Sequence, residues 1–230
     1  MPSVGGAIDG SHIPIERPKD SEFQYVNRKG FHSINALVVA GANRYIFYIN
    51  SRWPGSVNDS RVLRNSPLFE TFENGWRPFP DAVLLGDSGF PLLDWLMTPF
   101  SITSNNNEDN YNIAHKRSRH FIETTFCVLK SRFACLSSKL QFPPEFCAEV
   151  IYSCCIIHNM ILNERFNDED IDNVVNQENT DIENNQDLLN EEEEIINPGA
   201  RARGHARRAR LVQRLAAQRH RGGPDPEERQ

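Results

Sequence analysis

Apolar positions fall along the chain in two rhythms. Residues 6–15 are a short apolar stretch bounded by glycine and read as a first strand. "INALVVA" (34–40) and "RYIFYIN" (44–50) are rich in β-branched and aromatic residues, and only "GAN" separates them, which predicts a hairpin. Pro54 and Gly55 break the second strand. Ser56 and Asp59 then give an S-x-x-D helix start, with Val62, Leu63 and Phe69 on its apolar face. "DAVLLGDSGF" (81–90) predicts a buried strand ending at Gly86-Asp87, and "LLDWLMTPF" a short turn and a further strand. The polar "SITSNNNEDN" (101–110) reads as a loop. Over 111–136 the period changes: Phe121, Ile122, Phe126, Leu129 and Phe133 recur at helical steps. Residues 143–166 open with proline and are strongly apolar, a core helix.

Charge divides the chain into three. Residues 1–163 carry 15 Lys/Arg and 15 Asp/Glu, 164–197 carry 13 acids against Arg165, and 198–230 carry 9 arginines against 3 acids. The expected organisation is a folded body (1–163), an acidic disordered linker (164–197) and a basic Arg-rich tail (198–230). Residues 200–221 could form a short basic helix when bound; the tail suits nucleic acid, a nuclear import signal, or folding back onto the acidic linker. Five cysteines with no CxxC pair fit a reducing compartment. Cys154, Cys155 and His158 lie at helical spacing, but the four closed ligands of a structural zinc site are missing, so buried thiols on a core helix are the reading. No apolar run is expected to span a bilayer, and no membrane partner is expected.

Three acids stand in telling places. Asp9 lies on the first strand, Asp87 ends the apolar strand 81–87, and Glu123 lies mid-helix. Two strands of one sheet and a helix across it can bring them to one point, where their mutual repulsion would be relieved by hard Mg²⁺ or Mn²⁺. Bland readings stand beside this one. Asp87 can be a turn residue before Gly89, Glu123 can pair with Arg119, and Asp59 can serve the start of its helix rather than the metals as a fourth carboxylate. The body has no net positive charge, so a DNA footprint must be local: Arg28 and Lys29 ahead of the hairpin, and Lys116, Arg119 and Lys130 along the Glu123 helix. Each is equally a solvated surface residue. Trp53 and Trp95 are more often core than base-stacking.

Six stretches then carry a resemblance in order over about residues 5–163: "GAIDGSHIPI", "YVNRKGFHSINALVV", "SRWPGSVNDSRVLRNSPLF", "LLGDSGFPLLDWLMTPF", "YNIAHKRSRHFIETTFCVLKSRFACL" and "CCIIHNMIL". Together they resemble the PIF/Harbinger transposase family, and especially its domesticated animal members, the Harbinger-transposase-derived nucleases. The resemblance implies an RNase H-like core: a mixed sheet with strands one to three antiparallel, then a parallel strand carrying the second Asp, and flanking helices. It implies a DDE triad at Asp9, Asp87 and Glu123, with 35 residues between the last two. It implies a metal-dependent endonuclease that hydrolyses DNA phosphodiesters by a two-metal mechanism and frees a 3′-OH. It further implies a nuclear location, with the cytoplasm also open, and a Myb/SANT-like DNA-binding partner. No oligomeric state is implied.

Relatives carry a helical region before the first catalytic strand, whereas eight residues precede Asp9 here, so the chain is expected to be a fragment, an incomplete gene model or a decayed copy. Two other classes therefore stay open: a catalytically silent nuclear DNA- or protein-binding module, and, more weakly, a small-molecule phosphohydrolase.

Overall fold

The alternating stretches at the head of the chain become antiparallel strands. In this computed structural model, which describes residues 1, 3–164 and 197–221 with side chains through Gln218, β1 (Val4–Pro14) pairs with β2 (Ser33–Ala40), and β2 pairs with β3 (Ile46–Pro54), both antiparallel. β4 (Val83–Leu85) and β5 (Leu96–Met97) form a parallel pair, and the five strands make one mixed sheet in the order β3-β2-β1-β4-β5. All eight residues of β2 are buried, which explains why "SINALVVA" reads as a continuous apolar run rather than an alternating one.

Helices flank the sheet: α1 (Glu22–Tyr25), α2 (Asp59–Arg64), α3 (Pro67–Glu73), α4 (Asn106–Arg132), α5 (Pro144–Asn163) and α6 (Pro198–Arg221). The chain divides into two compact units. One takes in Met1–Gly5, Arg77–Arg119 and the described part of Asn190–Gln230; the other takes in Gly6–Trp76 and the described part of His120–Leu189.

In the second unit α5 packs on β3 and β2. It buries Cys147, Ala148, Ile151, Cys154 and Cys155 as thiols and small apolar groups of a core face. His158 and Asn159 at its end bind the β2–β3 hairpin: the Asn159 amide donates to Ile46 O (2.8 Å) and accepts from Ile46 N (2.9 Å), and His158 Nε2 meets Arg44 O at 3.0 Å. The expectation that no apolar run could span a bilayer needs correcting, because α5 has the length and composition to do so. Its buried face and its side-chain bonds to the hairpin give that hydrophobicity another use, packing against the sheet.

Three boundaries depart from the sequence reading. The stretch after Pro54 makes two helices rather than one. Asn58, not Ser56, caps α2 by accepting from Arg61 N (2.8 Å), and Ser66 caps α3 with Pro67 at its first position. The polar loop 101–110 ends early, because Asn105 Oδ1 accepts from Asn107 N and Glu108 N while Glu108 Oε2 accepts from Ser104 N, starting α4 at Asn106. In the basic tail, the helix expected over 200–221 on binding is already present as α6 over 198–221.

In the first unit α6 lies on β5. A Cβ at Gly204 would stand 2.9 Å from Leu92 O, so only glycine permits this approach. Arg208 is buried, donates to Pro99 O (3.0 Å) and covers the Phe100 ring, while Arg207 binds Asp81 at 2.9 Å. These two arginines are thereby engaged in the fold rather than held ready for a ligand. The acidic stretch 164–197, save Glu164 and Asn197, lies outside the described residues, as do 222–230.

Candidate active site

Asp9 stands at mid-strand on β1, opposite Val38 of β2, and is half-buried. Its Oδ1 accepts from Gly10 N at 2.9 Å. The β1–β2 register runs unbroken from Ala7 to Pro14, so Asp9 and Gly10 face opposite sides of the sheet. On the Gly10 side sits Asp59, the first residue of α2. A Cβ at Gly10 would lie 2.1 Å from Asp59 Oδ1. The same oxygen accepts from Asn35 Nδ2 at 2.6 Å, and Asn35 also donates to Val57 O (2.8 Å). Asp59 is therefore the acceptor for a fully buried asparagine, on the face of the strand opposite Asp9. The glycine after Asp9 carries a packing requirement that the sequence reading missed.

Glu123 lies on the second half of α4. It is half-buried, and its carboxylate faces His120 Nδ1 at 3.3 Å, one turn earlier. Ile122, Phe126 and Leu129 on the same helix are buried, as their spacing predicts. Lys130 follows two turns after Glu123 on the same helical face.

In the first unit, β4 delivers Asp87. Gly86 N donates to Met97 O (3.0 Å), closing the strand end, and Asp87 Oδ1 accepts from Gly89 N at 2.9 Å in an Asx turn. Met97 O also meets His115 Nε2 at 3.0 Å. One carbonyl thus ties α4 to the strand end that presents Asp87. Burial pushes the His115 ring down to about 4, so it stays neutral at ordinary pH. His115 belongs to the stretch "YNIAHKRSRHF", where nothing in its spacing sets it apart from a surface histidine. Lys116 is exposed and Arg119 half-buried on the same first half of α4.

Arg28 and Lys29 project exposed from the turn Asn27–Phe31. Trp95 is wholly buried, as a core tryptophan, and Trp53 is half-buried at the end of β3.

A divalent cation fits the candidate donors by type: Asp9, Asp87 and Glu123 offer only hard carboxylate oxygens, and each is partly open to solvent. Among the described residues, no group of three or more His, Cys, Asp and Glu side chains is gathered closely enough to hold a metal ion.

Residues 8–159 match the family described as DDE superfamily endonuclease, a span that contains Asp9, Asp87 and Glu123. The chain belongs to the DDE superfamily endonucleases. Within them it is Harbinger-derived. It is 42% identical over 165 residues to the human protein named "Putative nuclease HARBI1", covering 70% of this chain and 47% of that protein. It is 35% identical over 170 residues to the Xenopus laevis protein of the same name, with the same two coverages. It is 30% identical over 179 residues to the Arabidopsis thaliana "Protein ALP1-like", covering 71% and 44%. The chain spans about half the length of the curated relatives it matches. No solved structure matches. The family resemblance read from the six stretches holds.

Proposed function

We propose that this DDE endonuclease chain is the catalytic body of a metal-dependent DNA nuclease of RNase H-like fold, with residues 1–163 as its core. The observation that carries this reading is the family match over residues 8–159, which takes in all three acids of the expected triad. The sheet order β3-β2-β1-β4-β5, antiparallel through β1–β3 and parallel at β4–β5, supports the RNase H-like assignment. Asp9, Asp87 and Glu123 would hold divalent Mg²⁺ or Mn²⁺. When bound, two such ions supply charge stabilisation to the attacking and leaving oxygens of an in-line phosphodiester displacement.

The protein groups do the positioning. The Asx turn and the Gly86–Met97 bond hold the backbone that carries Asp87, and His115 holds α4 to the same carbonyl. Arg28, Lys29, Lys116, Arg119 and Lys130 would contact DNA phosphates, which carry no sequence information. A Myb/SANT-like partner would supply site recognition, and the setting would be the nucleus.

Plasmid nicking with Mg²⁺ or Mn²⁺ tests this. Wild-type chain should convert supercoiled to nicked circles and Asp87→Asn should not; equal activity in the two would remove the catalytic reading.

A second reading is a non-catalytic nuclear binding module. One relative favours it: the chain is 26% identical over 180 residues to the Arabidopsis thaliana protein named "Antagonist of like heterochromatin protein 1", a name that speaks of antagonism rather than cleavage. Metal-independent DNA or protein binding without nicking would select it.

A further inference from the structure

The second unit gathers three cations about one histidine on the Gly10 side of β1. His12 lies two residues beyond Gly10, opposite Asn35 in the β1–β2 register, and is half-buried. Its Nδ1 meets Ser33 Oγ at 3.0 Å, and the same oxygen accepts from Asn27 Nδ2 at 2.9 Å. Ser33 is fully buried, so its hydroxyl proton needs an acceptor. His12 Nδ1 is the acceptor at hand, and a ring that accepts there carries its hydrogen on Nε2. Among the described residues no protein group bonds to that Nε2.

Asn27 also builds the turn that carries two of the cations. Its Oδ1 accepts from Lys29 N (2.9 Å), and its backbone pairs with Phe31 and Gly30. The chain His12–Ser33–Asn27 therefore tethers the exposed Arg28-Lys29 tip to β1 through two side-chain bonds. Among the described residues, neither Arg28 nor Lys29 has a salt-bridge partner. Lys130 of α4 is the third cation. Burial first, then the charges of Lys130, Lys29 and Arg28, push the His12 ring below its ordinary range. Charges that act on one ring share one neighbourhood, and like charges held together are relieved by an anion.

We propose that His12, Arg28, Lys29 and Lys130 form a subsite for one phosphodiester of the polynucleotide backbone, with the Nε2–H of His12 donating to a phosphate oxygen and Ser33 and Asn27 holding the ring and the cationic tip in place. The subsite rests on the DNA-cleaving reading above, and names where the strand is gripped. Asp59 is bound to Asn35, and Glu22 to Arg17 and His32.

The test is fluorescence anisotropy of a labelled DNA duplex with the full chain in EDTA, so that cleavage cannot confuse binding, repeated across a salt series. Arg28→Ala/Lys29→Ala changes two exposed turn residues and leaves the fold alone. It should weaken binding roughly tenfold and flatten the salt dependence by about one phosphate contact. Lys130→Ala and His12→Phe should each weaken binding several-fold, while Lys139→Ala, an exposed lysine paired with Glu16 at 3.8 Å, should not. Wild-type chain that binds, with all three variants binding equally well at the same salt slope, would overturn the subsite while leaving the nuclease reading intact. Wild-type chain that neither binds DNA nor nicks it would overturn both.

Discussion

At the scale of single residues, the pair Gly10 and Asp59 is the sharpest constraint in the second unit. The Asp59 carboxylate occupies the space a Cβ at Gly10 would need, so Gly10→Ala should cost about 1–3 kcal/mol by urea unfolding. Asp59→Ala should cost about 1–3 kcal/mol for a different reason: it leaves one N–H of the wholly buried Asn35 amide without its acceptor. The two costs should not add. With Asp59 already truncated, the added Cβ meets an empty space, and Gly10→Ala should become nearly neutral. An additive double variant would show that the two do not touch. The "D-G" within the first strand was visible in the sequence. Nothing there marks what its glycine accommodates, because that residue lies 49 positions later.

Among the elements, those set by local patterns were the legible ones. β2 and the two long helices α4 and α5 follow from β-branched runs and from steps of three and four. The caps at Asn58, Ser66 and Asn105 shifted boundaries by a few residues, since several polar residues compete for each cap and only the folded backbone selects one. What holds the C-terminal helix was not legible, for a stronger reason. Its arginines look like a solvated nucleic-acid tail, but Arg208 bonds to Thr98 and Pro99, some 110 positions away, and no local pattern encodes that. Arg208→Ala removes two carbonyl contacts and the stacking on Phe100, so α6 should detach from β5 at a cost of about 2–3 kcal/mol. Limited trypsinolysis reads this directly: cleavage within 201–214 should be slow in wild type and fast in the variant, and equal rates would show that α6 is not held by Arg208.

For the whole molecule, stability should depend on pH through histidines that are neutral when folded. Burial holds His115 at about 4, below the ordinary 6.5, and lowers His158 and His12 in the same direction. A depressed folded value means that the contribution is complete above pH 6.5 and is lost as pH falls towards about 4. His115 alone carries on the order of 3 kcal/mol across that window. Thermal unfolding midpoints should therefore drop between pH 6.5 and 4, and His115→Gln, which keeps a donor for Met97 O, should make the drop shallower. A midpoint independent of pH across that range would contradict the buried neutral rings. The family was legible from six ordered stretches, whereas the contacts that hold the backbone of Asp87 and the side chain of Asp59 were not. Met97 O, His115 and Asn35 act through contacts across 11 to 24 positions that only the fold creates.

The central claim is that Asp9, Asp87 and Glu123 together hold a divalent cation. Mn²⁺ binding to the full chain, followed by isothermal calorimetry for wild type and for Asp9→Asn, Asp87→Asn and Glu123→Gln, tests it most directly. Each single variant should weaken Mn²⁺ binding at least tenfold, with circular dichroism unchanged. Mn²⁺ binding unaltered in all three, or absent from folded wild type in the presence of DNA, would contradict the account.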